Sequence, residues 1–218
     1  MKKFKILNLY AGIGGNRKLW GEEHEITAVE YDIETAKVYK KYFPNDNVII
    51  DDAHKYLLEN YMNYDFIWSS PPCPTHSDIR RCGVHAGQYE AKYPDMELYQ
   101  EIILLMNFAP KETRFIVENV KPYYEPLIQP THKLHRHFYW SNFKIGNFEV
   151  SDDRKHENIQ GYSTVYGFNI KDTGIKDKRK ALRNMVFPEL GKYILDCAMD
   201  IPPKKVIGSL FDEIYLTL

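Results

Sequence analysis

The chain is short of cysteine and of net charge, and it lacks an apolar run long enough for a membrane span, an internal repeat or a low-complexity linker. Each shortage excludes something. Cys73, Cys82 and Cys197 are the three cysteines among 218 residues, too few and too unevenly spaced for a disulfide framework or a zinc cage, so they are expected as reduced thiols in a cytoplasm. Lys and Arg number 29 against 30 Asp and Glu, a formal net charge of -1; binding of nucleic acid would have to come from local clusters of cations. The apolar start, Phe4-Lys5-Ile6-Leu7, breaks at Asn8, too soon for a signal-peptide core, and no later segment is expected to cross a membrane. With hydrophobic residues at 44% and charged residues at 27%, the composition is that of a globular chain large enough to bury a full core.

Short apolar runs at residues 4–10, 26–30, 48–50, 66–69 and 115–117 alternate with helical patterns over 33–43 and 96–108. That alternation predicts an α/β fold, a mainly parallel sheet flanked by helices. A sixth strand is expected over 137–143 and a helix over 188–199, where Leu190, Ile194, Leu195 and Ala198 share one face. Between them the periodicity fails: Gly161, Gly167 and Gly174 are spread among polar residues ahead of the basic run Lys176-Asp177-Lys178-Arg179-Lys180, which reads as a loop-rich insertion.

Chemistry gathers at the expected strand ends. The first strand runs into Gly12-Ile13-Gly14-Gly15, a turn that lets backbone approach a nucleotide-like ligand, although a tight turn with no ligand explains such glycines equally well. The second ends in Val29-Glu30-Tyr31-Asp32, placing a carboxylate where it can accept from two ribose hydroxyls. The third ends in Ile50-Asp51-Asp52-Ala53, an acceptor for an exocyclic amine; for Asp51 the solvated reading is preferred. The fourth delivers Trp68-Ser69-Ser70-Pro71-Pro72-Cys73, with Ser77 close behind, and the fifth Val117-Glu118-Asn119-Val120. In an open sheet these ends share a crevice. A thiolate there can add to an electron-poor ring carbon while a carboxyl group holds a ring nitrogen, the two demands of pyrimidine activation.

This order of motifs, Gly-x-Gly-Gly, strand-end Glu, strand-end Asp, Pro-Pro-Cys and Glu-Asn-Val, resembles the DNA (cytosine-5) methyltransferase family over residues 4–143 and again near Arg183. The resemblance implies a Rossmann-like class I S-adenosylmethionine-dependent fold and a methyl transfer to C5 of a flipped-out cytosine through a covalent Cys73 adduct. It implies Cys73, Glu118 and Arg136 as catalytic residues. Tyr10, Gly12, Gly14, Gly15, Glu30, Tyr31, Asp52, Ala53, Pro72, Leu98, Asn184 and Val186 are the implied S-adenosylmethionine contacts. Ser77, Arg80, Arg81, Asn119, Lys178 and Arg179 are the expected contacts to DNA, taken as double-stranded.

The same resemblance divides the chain into a catalytic core (1–140), a reduced target-recognition insertion (141–182) and a C-terminal segment returning to the core (183–218). The insertion's cations, interleaved with Tyr162, Tyr166 and Phe168, are candidates for phosphate and base contacts. The loop after Cys73, with Gly83 and Gly87 as hinges, is a candidate lid.

Some positions depart from the family's pattern: Asn8 and Tyr10 replace an Asp and a Phe, Asn16 replaces an aromatic, Pro74 a Gln, and only Arg136 survives of a Gln-x-Arg-x-Arg segment. No metal is expected, since His132, His135 and His137 lack accompanying cysteines or acids. A monomer from a bacterium or phage is the expected form. An exocyclic amino-methyltransferase, an RNA cytosine-5 enzyme and a catalytically silent binding module remain as alternatives.

Overall fold

The computed structural model describes residues 3–134, 136–148 and 159–201. Among them, seven strands form one sheet in the order β3-β2-β1-β4-β5-β7-β6. β1 (Lys5–Leu9), β2 (Glu25–Val29), β3 (Asn47–Ile49), β4 (Phe66–Ser69) and β5 (Arg114–Val120) are all parallel. β7 (His137–Ser141) runs antiparallel to β5 and to its hairpin partner β6 (His132–Leu134). Because β1 and β4 are covered on both faces, their residues from Ile6 to Leu9 and from Phe66 to Ser69 are all buried instead of alternating in and out.

The helices α1 (Ile33–Tyr42) and α2 (Ala53–Asn60) start where Asp32 and Asp52 accept from the backbone N–H groups of Thr35 and Lys55, satisfying donors that the first turn leaves open. α4 (Glu97–Phe108) covers one face of the sheet, burying Leu98, Ile102 and Leu105 with Leu7, Ile67 and Val117. α7 (Pro188–Ala198) covers the other, where Leu190 and Ile194 meet Trp20, Phe66, Trp68 and Ile116. Its Pro188 stands at the helix start, where a missing N–H costs nothing. Behind the glycine turn the Arg17 guanidinium grips Asp46 through two bonds of 2.9 and 3.1 Å, and the Tyr39 hydroxyl donates to the same carboxylate at 2.8 Å.

Three features differ from the sequence reading. The segment after Cys73 is not an open loop but carries helix α3 (Asp78–His85), with Gly83 buried inside it and Gly87 at φ 69 just beyond. The strand β6 is too short to have left a periodic signal. The part of the insertion that is described carries α5 (Ile159–Tyr166) and α6 (Lys178–Arg183).

Tyr162, Tyr166 and Phe168, expected to reach bases, are instead buried with Ile13, Tyr39 and Phe43. Lys18 seals this contact: its ammonium donates to the Gly167 carbonyl at 2.6 Å and stands 4.1 Å from the Phe168 ring centre. Among the described residues no helix is long and apolar enough to cross a membrane.

Phe168 is fully buried, so Phe168→Ala is expected to lower the unfolding free energy by about 3–5 kcal/mol, measured by urea titration. A base-contacting surface ring would cost almost nothing.

Candidate active site

β1 delivers the chain to the carboxyl edge of the sheet in an unusual conformation. Tyr10, Gly12 and Gly14 have φ of 54, 57 and 90°, a region that L side chains seldom adopt. The three turn glycines serve different ends. A Cβ on Gly12 would meet nothing within 4 Å, so this backbone borders open space, whereas one on Gly14 would run into the Phe43 ring and one on Gly15 into Met185 and the Val186 carbonyl. The return of 183–186 to the glycine turn is therefore real contact, made by Met185 and Val186; the Asn184 side chain is exposed at the end of α6.

The acids line up beside the turn. Glu30 accepts from the Gly12 and Asp32 backbone N–H groups, each at 2.9 Å, and burial raises its pKa against the pull of those donors. Asp52 is exposed and uses one oxygen to cap α2 at 3.0 Å from the Lys55 nitrogen; Ala53 lies buried beneath it. Tyr31 and Ile50 are 78% and 53% exposed, free apolar surface beside these carboxylates. Leu98 is buried in the cluster against which Tyr10 leans. The two asparagines that depart from the family pattern answer each other: Asn16 donates to Asn8 at 2.8 Å, and Asn8 to Asn16 at 3.4 Å. An open glycine backbone, flanked by carboxylates and apolar surface, suits an adenosine with a charged tail.

Cys73 stands at the next strand end, held by its neighbours. The Asn119 amide donates to the Pro71 carbonyl at 2.9 Å and its oxygen accepts from the Val120 N–H at 3.0 Å, so Asn119 fastens the Pro-Pro-Cys loop to β5 instead of facing outward. The Cys73 carbonyl accepts from the N–H groups of His76 and Ser77 at 3.0 and 3.1 Å, a tight turn that presents the thiol, while Pro72 is exposed in front of it. Glu118 is 9% exposed, and among the described residues no hydrogen bond to its carboxylate is formed. Burial and the negative charge of Glu118 raise the Cys73 pKa; Lys180 and Arg183 pull the other way. The thiol and the acid are thus electrostatic neighbours.

A family model described as C-5 cytosine-specific DNA methylase matches residues 4–135. The chain belongs to that family. Its relatives include a mouse tRNA (cytosine(38)-C(5))-methyltransferase, 25% identical over 56% of this chain, and the Type II methyltransferase M.HgiCII of Herpetosiphon aurantiacus, 28% identical over 69% of it. The chain spans only 29% and 32% of those two proteins. A solved methyltransferase from Entamoeba histolytica shares the fold, with a TM-score of 0.55 at 10% identity over 94% of this chain and 100% of that one. The family and the fold bring S-adenosylmethionine as cofactor, and the open cradle fits it.

Around this family site the cations are unevenly placed. Ser77 precedes α3, whose Arg80 and Arg81, with His85, Lys92 and Tyr123, border a cavity of about 210 Å³. Arg81 donates to the Tyr123 carbonyl at 3.3 Å, and the Arg80 Nε is buried with no partner among the described residues. Arg136 is exposed in the turn between β6 and β7, its carbonyl accepting from the Lys121 N–H at 2.9 Å. Lys178 turns back to the Ile175 carbonyl at 3.2 Å, whereas Arg179 is exposed.

His132, one of the three histidines weighed as ligands, accepts the Ile145 N–H at 3.0 Å; His135 lies outside the described residues. Among the described residues no cluster of His, Cys, Asp or Glu is placed to hold a metal. The sequence reading missed Glu101, His54 and Ser69, which meet under the cradle; an acid within the apolar stripe of α4 was the signal available.

Since the Glu118 charge adds to burial in keeping Cys73 protonated, Glu118→Gln is expected to speed alkylation of Cys73 by iodoacetamide at neutral pH on the order of threefold, read by mass spectrometry of the Cys73 peptide.

Proposed function

We propose that this chain transfers a methyl group from S-adenosylmethionine to C5 of a cytosine in double-stranded DNA, with Cys73 as nucleophile. The observation that carries the reading is the Glu118 carboxylate set beside the Cys73 thiol at the ends of paired strands, with an open glycine cradle at the next strand end. Its oxygens, which form no hydrogen bond among the described residues, are available to a ring nitrogen and an exocyclic amine.

The target base has to leave the stack, because its C5 and C6 cannot be approached from both faces within a duplex. Cys73 loses its proton and its sulfur forms a bond to C6. Glu118 holds N3 and the amine, drawing charge away as that bond forms. S-adenosylmethionine, when bound, supplies an electrophilic methyl group to C5. Loss of the C5 proton then returns the electron pair that expels the Cys73 sulfur. Gly12, Glu30, Tyr31, Asp52 and Val186 would hold the cofactor, and Arg136, at the same sheet edge, is assigned to the catalytic group.

The arginines of α3 are read as phosphate contacts flanking the target. With Tyr162, Tyr166 and Phe168 buried, the described part of the insertion keeps the exposed cations Lys144, Lys171, Lys176, Arg179 and Lys180 for a polyanion. The free thiols Cys73, Cys82 and Cys197 suit a monomer working in a reducing cytoplasm.

The tRNA (cytosine(38)-C(5))-methyltransferase relatives favour a second reading, the same chemistry on RNA. Incubation with labelled S-adenosylmethionine and either duplex DNA or total tRNA, followed by digestion to nucleosides, separates the two. The expected product is 5-methyldeoxycytidine; 5-methylcytidine alone would replace DNA by RNA, and N4-methylcytosine or N6-methyladenine would overturn the C5 assignment.

Cys73→Ser is expected to reduce turnover by at least about a thousandfold, and a full-rate serine variant would remove Cys73 from the mechanism. Because the thiol's pKa is raised, its reactive form grows as pH rises through neutrality, so single-turnover rates should increase toward alkaline pH. If Arg80 and Arg81 each contact a phosphate, Arg80→Ala with Arg81→Ala should flatten the slope of log affinity against log salt by about 2, read by titrating labelled DNA at several salt concentrations.

A further inference from the structure

Beneath the cradle lies a carboxylate that the proposed chemistry leaves unused. Glu101 projects from the apolar stripe of α4 and is fully buried, yet it gathers three partners from three other segments. The Tyr10 hydroxyl donates to its Oε1 at 2.6 Å, His54 Nδ1 lies 3.1 Å from the same oxygen, and the Ser69 hydroxyl donates to Oε2.

Each partner stands at a different wall of the site. Tyr10 precedes the glycine turn at φ 54, His54 follows Asp52 and Ala53 in the first turn of α2, and Ser69 closes β4 just before the Pro-Pro-Cys loop. A carboxylate taken out of water must be paired, and here its pairing is also what ties three strand ends together. A non-glycine residue in the left-handed region persists only where its surroundings hold it, and the Glu101 bond holds Tyr10 together with its packing against the core.

Protonation states fit this arrangement. Burial and the Glu101 charge push the Tyr10 pKa far above the ordinary phenol, so it stays a donor. The Glu101 hydrogen bond raises the His54 pKa in spite of burial, and the other charged groups facing it, Glu97 and Asp52, act in the same direction. The imidazolium is thus favoured at low pH and lost as pH rises through the raised value.

We propose that Glu101 is a positioning residue for the methyl donor, setting the conformation of the cofactor cradle through Tyr10, His54 and Ser69. The proposal rests on the reading of Tyr10, Gly12, Glu30 and Asp52 as that cradle.

Calorimetric titration of the full chain with S-adenosylmethionine tests it, using the unmodified protein, Glu101→Gln, Tyr10→Phe and Ser69→Ala. Glu101→Gln should weaken binding about tenfold and Tyr10→Phe about threefold. The melting midpoint of Tyr10→Phe should stay within about 2 °C of the parent. The unmodified protein should lose affinity as pH rises through the raised His54 value and His54 gives up its proton, and this dependence should flatten in Glu101→Gln.

A purely structural role would lower stability and leave the pH dependence unchanged, and that result would overturn the proposal. So would a dissociation constant within about twofold of the parent in both Glu101→Gln and Tyr10→Phe; should Glu101→Gln fail to fold, Tyr10→Phe and Ser69→Ala decide alone, a Kd within the same limit in both overturning it. If the unmodified protein does not bind S-adenosylmethionine, the cradle reading falls and takes the proposal with it; unaltered variants of a binding protein would sink the proposal alone.

Discussion

Parallel pairing of β1 with both β2 and β4, and of β4 with β5, is the constraint on which this molecule depends. In such a sheet every strand finishes at the same edge, so whatever follows each strand is brought to one crevice regardless of its distance along the chain. Tyr10 and the glycines, Glu30, Asp52, Cys73 and Glu118 become neighbours by this rule alone. The antiparallel β7 obeys it in reverse: its start, next to Arg136, faces the end of β5, where Val120 pairs with His137.

Holding these ends steady falls to polar groups that never face solvent. The Arg17–Asp46–Tyr39 network braces the turn beyond the glycines, the Asn8–Asn16 pair braces the strand before them, and Asn119 pins the loop carrying the thiol. Each is a buried polar group whose partner comes from elsewhere in the fold, so each contributes to one particular arrangement of the crevice and resists alternatives. Glu118 is the exception. Burial and then the Glu118 charge raise the pKa of the thiol beside it, and the Glu118 oxygens are left for a bound base.

Much of this was legible in advance because the signals were local. The helix expected over 33–43 ends just before Pro44 and the one expected over 96–108 shows its apolar spacing within a few turns, both short-range rules. α3 was hidden because Gly83 and the prolines before it read as breakers, and its only buried residue is that glycine. In the insertion, Tyr162 and Tyr166 do share a helix face, but their apolar partners, Ile13, Tyr39 and Phe43, come from the first quarter of the chain. Rings among lysines therefore looked like a nucleic-acid surface when they were core.

The sequence by itself determined the strand-and-helix alternation and which chemical group follows each of β1 to β5, since periodicity, turns and caps act over a few residues. It also carried the family, through the order of those groups. Only the tertiary structure decided which way the side chains turned: Asn119 inward to Pro71, Tyr162, Tyr166 and Phe168 of the insertion into the core, Glu118 beside Cys73, and Glu101 joined to three segments at once. Those outcomes depend on contacts between distant segments, and no local pattern specifies what a side chain will meet when the sheet closes around it.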